Sequence, residues 1–292
     1  MNGVLIIDKP SGLTSHDVVN RVRRILQQRS VGHLGTLDPL ATGVLPLVTG
    51  SLTRLAQFYT ASEKTYEGVV RFGFATDTYD SDGEPTTEPK SVTLDPQQVK
   101  EVSARFRGVI EQVPPPFSAK KIHGVPAYKL ARKQKEVVLK SVQVEIKEFE
   151  ILAVDVDRAR FRARVASGTY MRSVAHEMGQ QLGCGAHLES LRRTAVAEFG
   201  IAQANTLEHL EESARQGSAD DLFVHPRQLL PQLPSVTADE PTVARIRSGR
   251  PVNLPELSRA RQVKVFAGQK DLIAIATRIA GTLFHPKLVF VT

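Results

Sequence analysis

The chain has no tryptophan and one cysteine, Cys184, among its 292 residues. One cysteine cannot close an intrachain disulfide or supply a cysteine-rich zinc site, so a reducing, cytoplasmic setting is expected. Long apolar runs are missing as well. The first spans only Val4 to Ile7, too short for a signal peptide. No stretch approaches the roughly 20 apolar residues of a membrane span, so no membrane association is expected. The histidines His16, His33, His123, His176 and His187 lack metal-ligand spacing, and no metal is expected. No Gly-Lys-Ser/Thr phosphate loop, dinucleotide fingerprint or nucleophile elbow occurs, and no internal repeat is visible.

What is present is an ordinary globular composition, 41% hydrophobic and 24% charged, with a net charge of +7. A basic balance suits an anionic partner such as nucleic acid. The excess is uneven: residues 1–100 carry net −1, residues 101–200 net +6 and residues 201–292 net +2. Between Pro115 and Lys135 stand Lys120, Lys121, Lys129, Arg132, Lys133 and Lys135, with no acid among them. Two readings fit this arm, a solvated mobile loop or a flexible arm that grips phosphates with salt-dependent affinity.

Hydrophobic periodicity outlines a mixed chain. Val4–Ile7 reads as a buried strand. "TSHDVVNRVRRILQQ" reads as a helix with Val18, Val22, Ile25 and Leu26 on one face and Thr14 with Asp17 as a capping box. Val44–Val48 reads as a strand, Leu52–Tyr59 as a short helix and Thr65–Phe74 as an alternating strand. Residues 76–93 are acidic and turn-rich, hence a surface loop. Asp95-Pro96 opens a helix whose apolar face is Val99, Val102 and Phe106. Residues 137–166 give two strands, the second with Arg158, Arg160, Arg162 and Arg164 on one face. Four arginines in a row need acids or phosphates nearby, and Glu145 is one candidate partner. "SGTYMRSVAHEMGQQLG" is a turn and a helix stopping at Gly183. A boundary falls near residues 231–236. The unit beyond it has a helix near Val243–Arg247 and strands near Val263–Phe266, Leu272–Ala276 and Val289–Thr292. It is small for an independent core and is expected to lean on the larger part.

The chemistry centres on "VGHLGTLDPLATG", residues 31–43, a glycine-rich loop with one carboxylate, Asp38, between Leu37 and Pro39. A rigidly held, ionised aspartate is a competent covalent nucleophile. A nearby arginine would offset the effect of burial on its ionisation. Pro39 stiffens the chain after it, and the glycines permit close backbone approach by another molecule. The same pattern also fits a plain turn.

The loop segment "GHLGTLDPLATGVLP" resembles the catalytic motif of the bacterial TruB-type tRNA pseudouridine synthases. So do, in order, "DKPSGLTSHDVV" (8–19), "KTYEG" (64–68), "PPPFSAKKIHGVPAYKLAR" (114–132), "SGTYMRSVAHEMG" (167–179) and "LRRT" (191–194). The resemblance covers most of residues 3–235. The end of the chain, with "FHPKLVF", is similar to the family's C-terminal PUA-like RNA-binding module. The resemblance implies an α+β fold on a largely antiparallel sheet. It also implies a catalytic domain over 1–235 with an RNA-gripping arm at about 114–135, and an RNA-binding domain over 236–292.

The implied activity is isomerisation of uridine 55 in the tRNA T loop to pseudouridine, without cofactor or metal. By the same resemblance Asp38 is the nucleophile, Arg172 its ionic partner, and Tyr66 the ring that stacks on the target base and takes a proton late in the reaction. Tyr170, Leu191 and Lys64 line the base pocket, and His33 holds the flipped RNA. Lys120, Lys121, Lys129, Arg132, Arg192 and Arg193 contact the RNA backbone. Lys9 and Pro10 support the Asp38 loop, and Leu37, Val44 and Leu191 supply apolar walls. The expected partner is the tRNA T stem-loop, with no guide RNA, and the expected state is a monomer. Two alternatives stand beside this: a pseudouridine synthase acting on another RNA, and a non-catalytic RNA-binding or tRNA-folding protein.

Overall fold

The structure, a computed structural model, describes residues 1–118, 120–122, 125–127 and 139–290, with backbone alone at 121–122 and 125–126. The strands are β1 (Gly3–Lys9), β2 (Val31–His33), β3 (Thr42–Thr49), β4 (Lys64–Phe72), β5 (Gly108–Gln112), β6 (Lys121–Ile122), β7 (Val125–Pro126), β8 (Val142–Asp155), β9 (Arg158–Val165), β10 (Ala186–Val196), β11 (Phe199–Gly200), β12 (Ser235–Ala238), β13 (Val252–Asn253), β14 (Gln262–Ala267), β15 (Asp271–Ala280) and β16 (Leu283–Val289). The helices are α1 (Ser15–Ile25), α2 (Ala56–Tyr59), α3 (Pro96–Ala104), α4 (Met171–Gln181), α5 (Leu207–Arg215) and α6 (Glu240–Arg247). The mixed α+β class and the antiparallel character are as expected.

The large sheet runs β1-β3-β10-β4-β9-β8-β5, with β2 on β3 and β11 on β10. Its neighbours are antiparallel except β3 with β10, which pair only at Arg192↔Thr42 and Arg193↔Gly43. Short parallel contact leaves the loop before β3 free to diverge from β10, and Asp38 lies in that loop. The strand β10 carries no clean alternation because it is bulged twice, between Leu188 and Ser190 and between Arg193 and Ala195. Each bulge resets the two-residue period by which strands are read.

The run Val4–Ile7 is continuous because β1 is covered on both faces. Leu5 and Ile7 join a core with Val18, Val22, Tyr66, Phe161 and Val174. Val4 and Ile6 join a second core with Val44, Val48 and Tyr59, to which Phe266, Leu272, Ile275, Leu288 and Phe290 also belong. The C-terminal sheet β12-β14-β15-β16-β13 thus seals the far face of β1 and β3. Its last strand is Leu283–Val289; of the strand expected near Val289–Thr292, residues 291–292 lie outside the described residues. Pro286 interrupts the pattern there, and it is tolerated because β13 pairs β16 only at Leu283 and Phe284.

Local signals behave as their chemistry dictates. Thr14 and Asp17 form the reciprocal capping box at α1. Asp95 accepts from Gln97 N at 2.9 Å with Pro96 at the first position of α3. Three of the four arginines in the β9 row pair with acids, but not with Glu145. Arg158 meets Asp157 and Glu189, Arg162 meets Glu67, and Arg164 meets Glu63 and Glu148. Lateral register decides this: Glu67 faces Arg162 and Glu148 faces Arg164 directly across the ladder. Among the described residues, no helix is long and apolar enough to cross a membrane.

Candidate active site

The loop from Leu34 to Ala41 is shaped by three anchors. At the N-terminus of α1, Ser15 donates Oγ to Leu37 O at 3.1 Å and accepts from Leu37 N at 2.8 Å. The buried Lys9 donates Nζ to Pro10 O, Leu13 O and Pro39 O at 2.8, 2.6 and 3.2 Å. Arg193, fully buried on β10, donates Nε to Val44 O at 2.8 Å, Nη1 to Thr36 O at 3.1 Å and Nη2 to Gly35 O at 3.0 Å. Ala41 N closes a turn on Asp38 O at 3.1 Å. Residues on both sides of Asp38 are therefore fixed to strands and a helix. Lys9 fills the supporting role expected of it.

Arg193 does not fit the RNA-backbone role expected of it. Its guanidinium is enclosed and engaged by two carbonyls of the Asp38 loop and one of β3, with the Tyr66 hydroxyl beside it. Burial pulls its pKa below the usual arginine range. Gly43 is explained by the same strand. It sits at φ +99°, and a Cβ there would stand 2.2 Å from Arg193 O. This glycine serves the close approach of β10, not that of a nucleotide.

Asp38 faces a cleft of about 230 Å³ lined by Gly35, Thr36, Leu37, Asp38, Ala41, Lys64, Tyr66, residues 166–170, Met171, Arg172, Leu191 and Arg193. The second residue of α4, Arg172, is buried and places Nε 2.9 Å from Asp38 Oδ2. That N–H is not aligned with the oxygen, so the contact is an ion pair more than a directed hydrogen bond. The Asp38 side chain remains 39% exposed and open to the cleft.

The rest of the guanidinium is held elsewhere: Nη1 donates to Thr78 O and Nη2 to Phe117 O, each at 3.0 Å. Asp80 Oδ2 lies 3.4 Å from Nη1. Arg172 is thus clamped between two carboxylates and two carbonyls. Asp80 is buried, which raises its pKa, while Thr78 and Arg172 pull it back. Sequence reasoning missed Asp80, because residues 76–93 look like a polar surface loop and nothing local ties Asp80 to an arginine on a distant helix.

Tyr66 and Leu191 come together in the cleft lining. Tyr66 on β4 lies opposite Arg193, and Leu191 opposite Gly68, so both side chains wall the cleft beside Leu37. Tyr170, immediately before α4, lines the opposite side, and burial raises its hydroxyl pKa. Lys64 also lines the cleft. Its ammonium donates to Ser62 O at 2.6 Å, and burial, aided by Arg193, lowers its pKa from 10.5 to about 8.

Other expected residues stand elsewhere. Val44 is buried in the second core, so it is not a cleft wall. His33 lies outside the cleft lining; its Nδ1 accepts from Gly35 N at 3.3 Å, and burial lowers its pKa. Arg192 points away from Arg193 and pairs with Asp8 at 2.7 Å, remaining half-exposed. Lys120 is half-buried and not part of the lining. Lys129 and Arg132 lie outside the described residues, as does the Lys121 side chain. Among the described residues, no group of three or more His, Cys, Asp or Glu is placed to hold a metal ion.

Comparison with known proteins gives this geometry a context. The profile of the "TruB family pseudouridylate synthase (N terminal domain)" matches residues 23–171, and that of the "tRNA pseudouridylate synthase B C-terminal domain" matches residues 172–231. A tRNA pseudouridine synthase B of Solibacter usitatus is 52% identical over 99% of this chain and 100% of its own length. One from Geobacter sulfurreducens is 39% identical, covering 96% and 95%. Among solved structures, an H/ACA RNP bound to a substrate RNA containing 2'-deoxyuridine is similar in fold. Its TM-score is 0.72 at 23% identity, covering 99% of this chain and 85% of that one.

Proposed function

This chain belongs to the TruB family of pseudouridylate synthases, and we propose that it isomerises uridine 55 in the T loop of tRNA to pseudouridine, with Asp38 as nucleophile. The observation that carries this reading is the Asp38–Arg172 ion pair at 2.9 Å in a cleft walled by Tyr66, Tyr170 and Leu191. One anchored carboxylate, one buried cation and a ring-lined slot suit attack on a flipped-out pyrimidine.

The chemistry follows from these parts. The target uridine leaves the RNA stack at a cost of a few kcal/mol. Stacking on Tyr66 returns about 1–3 kcal/mol. The Asp38 carboxylate then adds to C6 of the base or assists at C1′ of the ribose. The N1–C1′ bond breaks, the base turns within the cleft, and a C5–C1′ bond forms. The proton on C5 leaves and N1 gains one, so no external reactant is consumed. Arg172 stabilises the carboxylate between steps, and the Tyr66 hydroxyl relays the C5 proton, taking it up as its own proton passes on. Leu37 and Leu191 keep water from the detached base. No cofactor is needed for this balance.

The RNA is held by Lys64 at the cleft, by Arg192 on the opposite face of β10, and by the basic arm with Lys120, Lys121, Lys129 and Arg132. His33 supports the flipped conformation through the loop it braces. The chain divides into a catalytic domain over 1–235 and an RNA-binding domain over 236–292. The protein works in the cytoplasm as a monomer on free tRNA, without guide RNA.

The test is tritium release from tRNA transcripts labelled at C5 of uridine. Wild-type protein releases label, and a T-loop uridine-to-cytidine change at position 55 abolishes it. Asp38→Asn loses several orders of magnitude in rate while still binding tRNA. Equal release by wild type and Asp38→Asn would sink the nucleophile assignment; tight tRNA binding with no release by either would favour a non-catalytic RNA-binding role.

A further inference from the structure

Arg172 is held by the turn Thr78–Asp80, and that turn has an unusual centre. Tyr79 adopts φ +64°, a left-handed conformation that a bulky L residue rarely takes. Thr78 offers its carbonyl to Arg172 on one side of Tyr79, and Asp80 offers its carboxylate on the other. The left-handed residue between them is what turns both groups toward one guanidinium.

The Tyr79 side chain is anchored to the helix that carries Arg172. Its ring stacks on His176, with centroids 3.8 Å apart and planes 11° from parallel. His176 follows Arg172 by four residues, so both project from one face of α4. Beyond the stack the imidazole has one hydrogen bond, within its own helix. Among the described residues Nδ1 is buried with no hydrogen-bond partner, while Nε2 accepts from Gln180 Nε2 at 3.0 Å. Further anchors hold the backbone: Leu188 N donates to Tyr79 O at 3.0 Å, and Thr76 Oγ1 donates to Asp80 O at 2.7 Å. The helix therefore grips the turn twice, by charge at position 172 and by ring stacking one turn later.

We infer that Tyr79 and His176 are positioning residues for the isomerisation, their stacked rings holding the Thr78–Asp80 turn so that Arg172 presents Nε to Asp38. This rests on the proposed roles of Asp38 and Arg172. Neither residue lines the cleft, so their loss should slow the chemical step and leave tRNA binding intact.

The experiment uses the full chain and C5-tritiated tRNA in single turnover. Tyr79→Asn removes the ring but keeps a residue tolerant of positive φ; His176→Ala removes the other half. Each is expected to lower the rate constant about 10- to 100-fold, as when a supporting group near a reacting centre is lost, with tRNA affinity unchanged. The double variant should be no slower than the worse single one. Tyr79→Phe and His176→Phe retain two stackable rings and restore the rate. A second readout is independent of turnover: the side-chain ¹⁵N–¹H resonance of Arg172 Nε, assigned with Arg172→Lys. It is expected to be sharp in the wild type and in Tyr79→Phe, and broadened or shifted in Tyr79→Asn. Wild-type rate and an unmoved Arg172 signal in Tyr79→Asn would overturn the inference while leaving the isomerase reading standing. A wild-type enzyme inert on tRNA would fail that reading instead, and the Arg172 signal would still decide whether the stack positions the guanidinium.

Discussion

Replacing Arg193 by methionine separates a structural arginine from an RNA-binding one. The wild-type guanidinium satisfies the carbonyls of Gly35, Thr36 and Val44 in a fully buried site. Methionine fills much of the volume and leaves those acceptors without that donor. An orphaned buried acceptor costs about 1–3 kcal/mol, while removal of a buried charge relieves desolvation. Taking the low end for each of three carbonyls gives a net loss of about 3 kcal/mol. At about 2.1 cal/mol/K of unfolding entropy per residue, that is a fall in Tm of about 5 °C for this chain. Arg193→Lys should lie between, since one ammonium cannot reach all three acceptors in the geometry of a planar fork. The assays are thermal unfolding and tRNA affinity across a salt series. A phosphate contact makes the opposite forecast, with Tm unchanged and the salt slope smaller by about 1. An unmoved Tm with a reduced slope would refute the structural argument.

Asp80→Asn keeps the shape of the turn but removes one of the two carboxylates on Arg172. Single-turnover rate should fall about 10-fold with little change in tRNA affinity, and an undiminished rate would show that Asp38 alone suffices for Arg172. Lys9 gives a pH signature. Burial lowers its pKa from 10.5 to about 8, against the opposing pull of Asp38. The folded state therefore loses this proton before the unfolded state does. The cost of burying the charge is fully present below about pH 8 and is relieved as pH rises toward 10.5, so stability gains with pH across that window. Denaturant unfolding of wild type and Lys9→Met should diverge in slope there; parallel curves from pH 8 to 10.5 would rule it out.

Much of this was legible in sequence where a local rule decides the outcome. The Thr14–Asp17 box and the Asp95-Pro96 start depend on residues three apart or adjacent, and both form as read. The Asp38 loop was visible because its glycines, proline and carboxylate are contiguous. Arg172 and Tyr66 entered through a family resemblance, and the fold brings them to Asp38. What local rules do not carry is the lateral register of strands. Glu145 was a reasonable partner for the β9 arginines by proximity in sequence, yet Glu67 and Glu63 reach them across β4. The bulges of β10 hid the strand that places Leu191 and Arg193 against the cleft.

Arg192 and Arg193 show why charge alone is a poor guide to function. They are adjacent and chemically identical, so any count of basic residues treats them as one feature. Successive residues of a strand point to opposite faces, and here the two faces differ completely. Arg192, half-exposed, reaches Asp8, while Arg193 is sealed under the Asp38 loop. The same reasoning applies to the acidic turn. Asp77, Asp80 and Asp82 look equivalent in sequence, but only Asp80 is carried inward, by a left-handed Tyr79 whose ring is pinned to α4. In both places a one-residue change of direction decides whether a charge meets solvent or the buried network around Asp38. The Asp38 loop is therefore controlled less by its own sequence than by which face of β10 and which side of the Tyr79 turn supply its partners.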